Sequence, residues 1–164
     1  MDLFSRRVVG WKLGQSLAVE LVGTALQNAL LLRQPPAGLI FHSDRGCQYS
    51  SLAVRQSLRA IGVVQSMSGK GNCYDNARAE AFFSSLKTEC FPSGNCFASK
   101  AQARREIFEY IEIYFNNQRL HSALAYQTPH QCEATWEAEK HHFCERKSKQ
   151  KIPIKSQPSV RPIN

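Results

Sequence analysis

The sequence predicts an α/β protein in which helices flank a sheet. Three observations support this class. Short apolar or β-branched runs of strand length recur in the first half of the chain, and longer segments with helical spacing of apolar residues alternate with them. Turns rich in glycine and proline separate the two kinds of segment. Because strands that alternate with helices favour a layered sheet, the order of the segments indicates the class.

The first third of the chain predicts a strand, a helix and a second strand. Arg6 to Leu13 is rich in β-formers and predicts a short strand. Apolar residues recur at helical spacing over Ser16 to Leu32, which predicts a helix with Ser16 as its N-cap. Pro35 to Gly38 ends that helix. Leu39 to Phe41 is too short for a helix and stops at polar residues, which is typical of an interior strand.

The middle of the chain continues the alternation. We expect a helix over Ser51 to Ala60 and a short strand over Gly62 to Ser66. A glycine-rich loop over Ser68 to Asp75 then leads into a helix that starts near Asp75 or Asn76 and runs to about Glu89. Only three strand candidates are present, which is few for a layered sheet.

The last third predicts helices and a tail. Strong helical patterning covers Lys100 to Phe115, and Asn116 to Gln127 is irregular. Thr128 and Pro129 form the N-cap and first-turn signature of a further helix. Since lysine, serine and proline dominate the C-terminus, we predict a core domain over residues 1–137 and a basic, disordered tail over residues 138–164.

Charge and composition limit the classes of function. The net charge is +8, but residues 1–139 carry 14 basic against 12 acidic side chains, so most of the excess lies in residues 140–164. A basic balance points to nucleic acid, although a charged tail alone is weak evidence for a DNA-binding fold. The sequence shows no secretory signal, no membrane span and no Cys-x-x-Cys pair, so we expect a cytoplasmic protein with reduced cysteines.

Two carboxylates could hold a metal ion. Asp44 follows a predicted strand, where ligand sites of α/β sheets lie, and Gly46 allows a tight turn after it. Glu80 lies on the helix after the glycine-rich loop, beside an apolar stripe that would pack that helix on the sheet. Carboxylate oxygens suit Mg²⁺. The alternative is that Asp44 is a turn residue and Glu80 a solvated surface residue, and spacing alone leaves both interpretations open.

The sequence around these two residues closely resembles a known family. Phe41 to Tyr49 (FHSDRGCQY) and Ser68 to Glu89 (SGKGNCYDNARAEAFFSSLKTE) are similar to the second and third acidic motifs of insertion-sequence transposases of the DDE, retroviral-integrase-like superfamily. Tyr110 to Pro129 is similar to the segment that closes the same catalytic core, and Leu3 to Trp11 resembles a stretch on its second and third strands. The resemblance spans roughly residues 2–133, in order and with the expected spacing.

The resemblance implies an RNase H-like layered fold, in which helices flank a mixed sheet. It also implies DNA cleavage and strand transfer at a two-metal site that uses Mg²⁺ (or Mn²⁺). Asp44 and Glu80 would be catalytic metal ligands. The DNA of the element ends and target would be the substrate, and other transposase chains are possible partners. Candidate DNA contacts are Lys87, Arg45, Asn76, Arg78, Arg119 and His121. For Lys87 and Arg119, a solvated surface cation is an equally good interpretation.

The family pattern needs three acids, of which the first lies on the first strand of the core. That strand would precede the Leu3 to Trp11 match, and Asp2 is too close to Asp44 to replace its carboxylate. We therefore expect an incomplete core that lacks the first strand and most of the second, and that is inactive alone. The alternatives are a non-catalytic DNA-binding or inhibitory remnant of a transposase, and a decayed reading frame without a role.

Overall fold

A computed structural model describes residues 1–16, 18–69, 73–92 and 96–149. The described part of the chain alternates helices with strands and then continues as helices, in the order that the sequence predicts from the first helix onward. Its elements are α1 (Val19–Arg33), β1 (Ile40–Ser43), α2 (Leu52–Ala60), β2 (Val64–Met67), α3 (Ala77–Cys90), α4 (Lys100–Phe108) and α5 (Pro129–Lys149).

The sheet of the described residues consists of β1 and β2, which run parallel with Ile40 beside Val64. Helix α2 makes the crossover between them. Successive residues of a parallel strand direct their backbone groups to opposite edges, so Ile40 and His42 direct theirs away from β2. Because no described strand pairs with that edge, the expectation that β1 is an interior strand is wrong, and Ile40 is 66% exposed.

Side-chain caps explain where several helices begin. Ser51 and Ser99 each accept a hydrogen bond from the backbone N–H three residues further on, at the starts of α2 and α4. At the start of α5, Gln131 N–H donates to Thr128 Oγ1 (3.1 Å) and Thr128 N–H donates to Gln131 Oε1 (3.0 Å). This reciprocal capping box confirms the predicted start of the last helix.

The first helix begins later than its sequence predicts. Its N-cap is Ala18, which has no polar side chain, and Ser16 lies outside the helix. The predicted cap at Ser16 is therefore wrong, although the helix itself is confirmed. The helix ends at Arg33, where Gln34 adopts a left-handed conformation (φ 42°) and donates its N–H to the carbonyl of Leu30 (2.8 Å).

The segment predicted as a strand over Arg6 to Leu13 is not one, because no described strand runs beside it. Instead the side-chain amide of Asn116 bonds both backbone groups of Val8. Val8 N–H donates to Asn116 Oδ1 (2.9 Å), and Asn116 Nδ2 donates to Val8 O (3.1 Å). Asn116 is 1% exposed, so a buried side chain takes the place of a partner strand.

Gly10 brings this segment into direct contact with α1. A Cβ atom at Gly10 would lie 2.3 Å from the carbonyl oxygen of Ala25 and 2.8 Å from the Cβ of Ala29. Only a residue without a side chain allows the two backbones to approach so closely. Asn28 of the same helix also donates to the carbonyl of Trp11 (3.4 Å).

The buried side chains form two clusters. The first cluster joins the N-terminal segment to α3, α4 and the residues after α4, and its members are Val8, Phe82, Leu86, Ile107, Tyr110, Ile111 and Phe115. The second cluster lies between α1, α2 and the sheet, and its members are Leu26, Val54, Leu58 and Val63, with Phe41 packed against them. Among the described residues, no buried side chain belongs to both clusters.

Two further predictions about helices need correction. The helix predicted over Lys100 to Phe115 is α-helical only to Phe108, and residues 109–115 form a π-helical segment. The wider turn persists after it, since Arg119 N–H donates to the carbonyl of Tyr114, five residues earlier (2.7 Å). Helix α5 continues to Lys149, so residues 138–149 are helical and not disordered, whereas residues 150–164 lie outside the described part.

Candidate metal and DNA site

Asp44 directly follows β1 and is exposed. Its Oδ1 accepts a hydrogen bond from Gly46 N–H (2.9 Å), which forms a tight side-chain turn at the end of the strand. A Cβ atom at Gly46 would lie 2.9 Å from that same oxygen, so glycine keeps the turn open. Within the described part of the chain, Asp44 Oδ2 accepts no hydrogen bond and forms no ion pair with a described residue, so it can bind a ligand.

Glu80 lies in the first turn of α3 and is also exposed. Phe82 and Leu86 of the same helix are buried in the first cluster and fix the helix in place. Glu80 forms no ion pair or hydrogen bond with another described residue. A carboxylate near the N-terminus of a helix is also favoured by the helix dipole.

Ser68 connects the two elements that carry these carboxylates. It follows β2 and is 5% exposed. Its N–H donates to the carbonyl of Ser43 (3.0 Å), the residue before Asp44, and its hydroxyl lies 3.1 Å from Oδ1 of Asn76, which precedes α3. The end of the sheet and the start of α3 are thus held together where ligand sites of parallel sheets form.

The chemistry of these residues suits a hard divalent ion, but their number is small. Mg²⁺ and Mn²⁺ prefer carboxylate oxygens and retain several waters. Among the described residues, no three or more His, Cys, Asp or Glu side chains lie together in a group that could hold a metal ion. Asp44 and Glu80 remain the two predicted ligands, and Cys47, Cys90, Cys96 and Cys132 carry free thiols.

Two of the predicted DNA-contacting residues lie in this connection. Arg45 directly follows Asp44 in the sequence and is exposed. Its Nε donates to the carbonyl of Ser68 (2.8 Å), which fixes the orientation of the guanidinium group. Asn76 is half-buried and accepts from the Ser68 hydroxyl. Arg45 therefore has N–H donors left for a phosphate, whereas the amide oxygen of Asn76 is already bonded to Ser68.

Arg78 and Lys87 are exposed on α3 and form no ion pair with another described residue. Burial, and then the positive charge of Arg78, lower the pKa of Arg6, so these two guanidinium groups lie near each other. Lys87 is seven residues after Glu80, which places both on the same side of the helix. Both α3 cations are free to contact a phosphate backbone.

Arg119 is held by an ion pair that the sequence did not indicate. Its Nε and Nη2 donate to both carboxylate oxygens of Glu89 over 2.8–3.1 Å, and Tyr110 Oη donates to Glu89 Oε2 (2.9 Å). The hydrogen bond from Arg119 lowers the pKa of Glu89. Burial, and then the bond to Glu89, raise the pKa of Tyr110. This network joins the end of α3 to the segment after α4.

His121 lies beside this network and packs its ring edge-on against Phe115, with centroids 4.8 Å apart. Burial, and then the charge of Arg119, lower the pKa of His121, which favours a neutral imidazole. Its Nε2 is buried without a hydrogen-bond partner among the described residues. Arg119 and His121 therefore have structural contacts, and their role toward DNA stays a prediction.

Sequence reasoning did not single out Ser68, Glu89 or Tyr110. For Ser68 a signal existed, since it is a polar residue directly after a strand, as Asp44 is. For Glu89 and Tyr110 no local signal existed, because their contact joins residues 21 positions apart.

The parallel strands β1 and β2, joined by Ser68 to the start of α3, lie in a chain that matches a known protein family. Two family models, both described as integrase core domain, match residues 1–73 and residues 80–135. The chain belongs to the integrase core domain family. This finding confirms the family that the acidic motifs predicted.

Curated relatives are transposon proteins. The chain is 43% identical over 129 residues to the transposase for insertion sequence element IS904 of Lactococcus lactis subsp. lactis (strain IL1403), which covers 79% of this chain and 51% of that protein. It is 43% identical over 133 residues to transposase InsF for insertion sequence IS3A of Escherichia coli (strain K12), which covers 81% and 46%. The chain spans about half the length of the curated relatives it matches.

A solved structure has the same fold. The catalytic core domain of BIV integrase, in its crystal form I, is similar with a TM-score of 0.50 at 18% sequence identity, over 78% of each chain. The predicted α/β, RNase H-like architecture is confirmed, with an incomplete sheet in the described residues. No helix in the described ranges is long and apolar enough to cross a membrane.

Proposed function

We propose that the chain is the catalytic-core portion of an insertion-sequence transposase that takes part in metal-dependent DNA cleavage and strand transfer. The observation that carries this proposal is the pair of exposed carboxylates, Asp44 and Glu80, on elements that Ser68 joins at the end of the sheet. The identity to transposases over most of the chain supports it.

Asp44 and Glu80 would hold Mg²⁺ or Mn²⁺. When bound, the metal would supply a Lewis acid for attack on a phosphodiester. The residues of the chain then have distinct tasks. The two carboxylates fix the reacting centre, and the exposed cations Arg45, Arg78 and Lys87 bind phosphates of the element ends and target DNA, with an affinity that falls as salt rises.

Two carboxylates are few for a two-metal site, and we propose that a part of the transposase outside the described residues supplies the third. The open edge of β1 supports this, because Ile40 and His42 offer backbone groups that another strand can pair with. Ile40 and Val64 lie side by side and are 66% and 54% exposed, so an added strand would also cover apolar surface. The occupant would be the remaining half of the same transposase, and its strand would carry the acid.

Reconstitution tests this proposal. The chain is mixed with a separately produced polypeptide that contains the preceding half of the transposase, and cleavage of labelled element-end DNA is measured with Mg²⁺. We expect cleavage by the mixture, loss of cleavage for Asp44→Asn and Glu80→Gln, and retention for Glu20→Gln. Glu20 is a matched control, since it is also an exposed acid in the first turn of a helix. An inactive mixture, or full activity of Glu80→Gln, would refute the proposal.

A second candidate function is a non-catalytic DNA-binding or inhibitory form of the transposase. The concentration of basic residues in positions 140–164 favours it, because that charge binds phosphates without any active site. A mixture that binds element ends or full-length transposase but never cleaves would support this function instead. If the chain bound neither, this second candidate would fail.

A further inference from the structure

We infer that Ser68 is a positioning residue that sets the separation of Asp44 and Glu80. This inference rests on the proposed function, since it concerns how the proposed metal ligands are held. Ser68 touches neither the DNA nor the metal in this scheme. It acts by fastening the backbone on both sides of Asp44 to the start of the helix that carries Glu80.

Ser68 bonds to the residues on both sides of Asp44 in the sequence. Its N–H donates to the carbonyl of Ser43, directly before Asp44 (3.0 Å), and its carbonyl accepts from Nε of Arg45, directly after it (2.8 Å). A third contact runs from His42 Nε2 to the Ser68 hydroxyl (3.3 Å). Because Ser68 is 5% exposed, water competes little for these bonds.

The Ser68 hydroxyl has one proton to donate, and the network directs that proton to α3. His42 Nδ1 lies 3.0 Å from the Ser66 hydroxyl. One tautomer satisfies both His42 contacts and leaves the Ser68 proton for α3: the Ser66 hydroxyl donates to Nδ1, and Nε2–H donates to Ser68. The Ser43 carbonyl is 3.3 Å from the hydroxyl and is already satisfied by the Ser68 N–H, so the shorter bond to Asn76 Oδ1 (3.1 Å) takes the proton.

The side chain of Asn76 bonds to Ser68 and does not cap α3. It occupies the N-cap position of α3, where an Asn side chain ordinarily accepts from a helix N–H, yet it makes no capping bond. Its amide oxygen accepts from Ser68 instead. Glu80 follows four residues later, which is a rise of about 6 Å along the helix. The Asn76 side chain therefore forms a fixed connection between the start of α3 and the end of the sheet.

Loss of this connection should weaken metal binding more than folding. Without the Ser68 hydroxyl, α3 keeps its buried contacts through Phe82 and Leu86, so the helix persists while its position against β1 loosens. Metal ions of this kind require well-defined ligand geometry. Removal of a residue that orients metal ligands reduces affinity by about 10–100-fold in other sites, and we expect about tenfold here.

The test is a titration of the full chain with Mn²⁺, followed by the electron paramagnetic resonance signal of free Mn²⁺. Binding to the double variant Asp44→Asn/Glu80→Gln defines the background. Ser68→Ala should bind about tenfold more weakly than the unsubstituted chain. Asn76→Ser should also bind more weakly while its thermal stability is kept, because the shorter serine side chain loses the contact with Ser68 and the buried contacts of α3 through Phe82 and Leu86 are unchanged.

Ser57→Ala is the control. It removes a hydroxyl whose described contact is the carbonyl of Ala53 within α2, outside the Ser68 network, so its Mn²⁺ affinity should stay within twofold. If Ser68→Ala is unfolded by circular dichroism, Asn76→Ser alone decides the outcome. If both bind Mn²⁺ as tightly as the unsubstituted chain, the inference is overturned while the metal site stands. If the double variant itself binds unchanged, the proposed site fails and the inference fails with it.

Discussion

Glu133 should make the stability of this protein depend on pH in the acid range. It lies on α5 and its side chain is 14% exposed. It accepts hydrogen bonds from Ser5 Oγ (2.6 Å), Arg7 Nη1 (2.9 Å) and Arg33 Nη2. Burial by itself raises the pKa of Glu133, but the three hydrogen bonds outweigh it and hold that pKa at about 2. The cluster ties the N-terminal segment and the end of α1 to α5.

The size of the effect follows from the difference between the folded and unfolded pKa. The folded pKa is lowered from an ordinary value of 4.5 to about 2, and each unit of difference corresponds to about 1.4 kcal/mol. Ionised Glu133 therefore contributes about 3 kcal/mol, an order-of-magnitude figure, to the free energy of unfolding above pH 5. Because the folded pKa is the lower one, this contribution is complete above the unfolded pKa and is lost as pH falls from about 4.5 to 2.

Urea unfolding of Glu133→Gln and of the unsubstituted chain at several pH values measures this contribution. We expect the variant to be less stable by about 3 kcal/mol at pH 6 and the difference to shrink steadily below pH 4. Glu137→Gln is the control, since Glu137 is exposed one turn later on the same helix, and it should change stability by less than about 0.5 kcal/mol. A stability difference for Glu133→Gln that stays constant from pH 6 to pH 3 would refute the reasoning.

Three further predictions concern the backbone contacts and the proposed DNA surface. Asn116→Ala should lower the free energy of unfolding by about 2–3 kcal/mol, because it leaves both backbone groups of Val8 buried without partners; thermal unfolding measures this, and a loss below 1 kcal/mol would contradict it. Gly10→Ala should destabilise the fold through its clash with α1, whereas Gly23→Ala, where a Cβ meets nothing within 4 Å, should stabilise α1 by about 0.5–1 kcal/mol; equal shifts in Tm would be the contrary result. Lys87→Gln should weaken DNA binding and reduce the slope of log affinity against log salt by about 0.9, and an unchanged slope in anisotropy titrations would argue against a phosphate contact.

The elements that the sequence predicted correctly are those specified by nearby residues. Apolar spacing located the helices, and Thr128 and Pro129 marked the start of α5, where Thr128 caps the helix by bonding to Gln131, three residues later. The strand predicted near Val8 was wrong because its partner is a side chain 108 positions away. The burial of β1 was wrong for a similar reason, since exposure depends on which strand lies beside it and not on its own residues.

In the candidate site, too, features specified by nearby residues could be predicted and contacts between distant residues could not. The motifs around Asp44 and Glu80 are contiguous and could be recognised from sequence, and the family they indicate is confirmed. The Glu89–Arg119 ion pair could not be predicted, because it joins residues 30 positions apart and both side chains are equally compatible with solvent. The diversion of Asn76 to Ser68 also had no signal, since asparagine at a helix start ordinarily predicts a cap.

The two separate clusters of buried side chains have a consequence for how the molecule opens. Because no described buried residue belongs to both clusters, α1, β1, α2 and β2 can lose protection from amide hydrogen exchange without α3 and α4, as two cooperative units. Asp44 belongs to the first unit and Glu80 to the second. A cation held by both would therefore have to be released before either unit could open alone, so the metal would add to the coupling that the contact between Ser68 and Asn76 already provides.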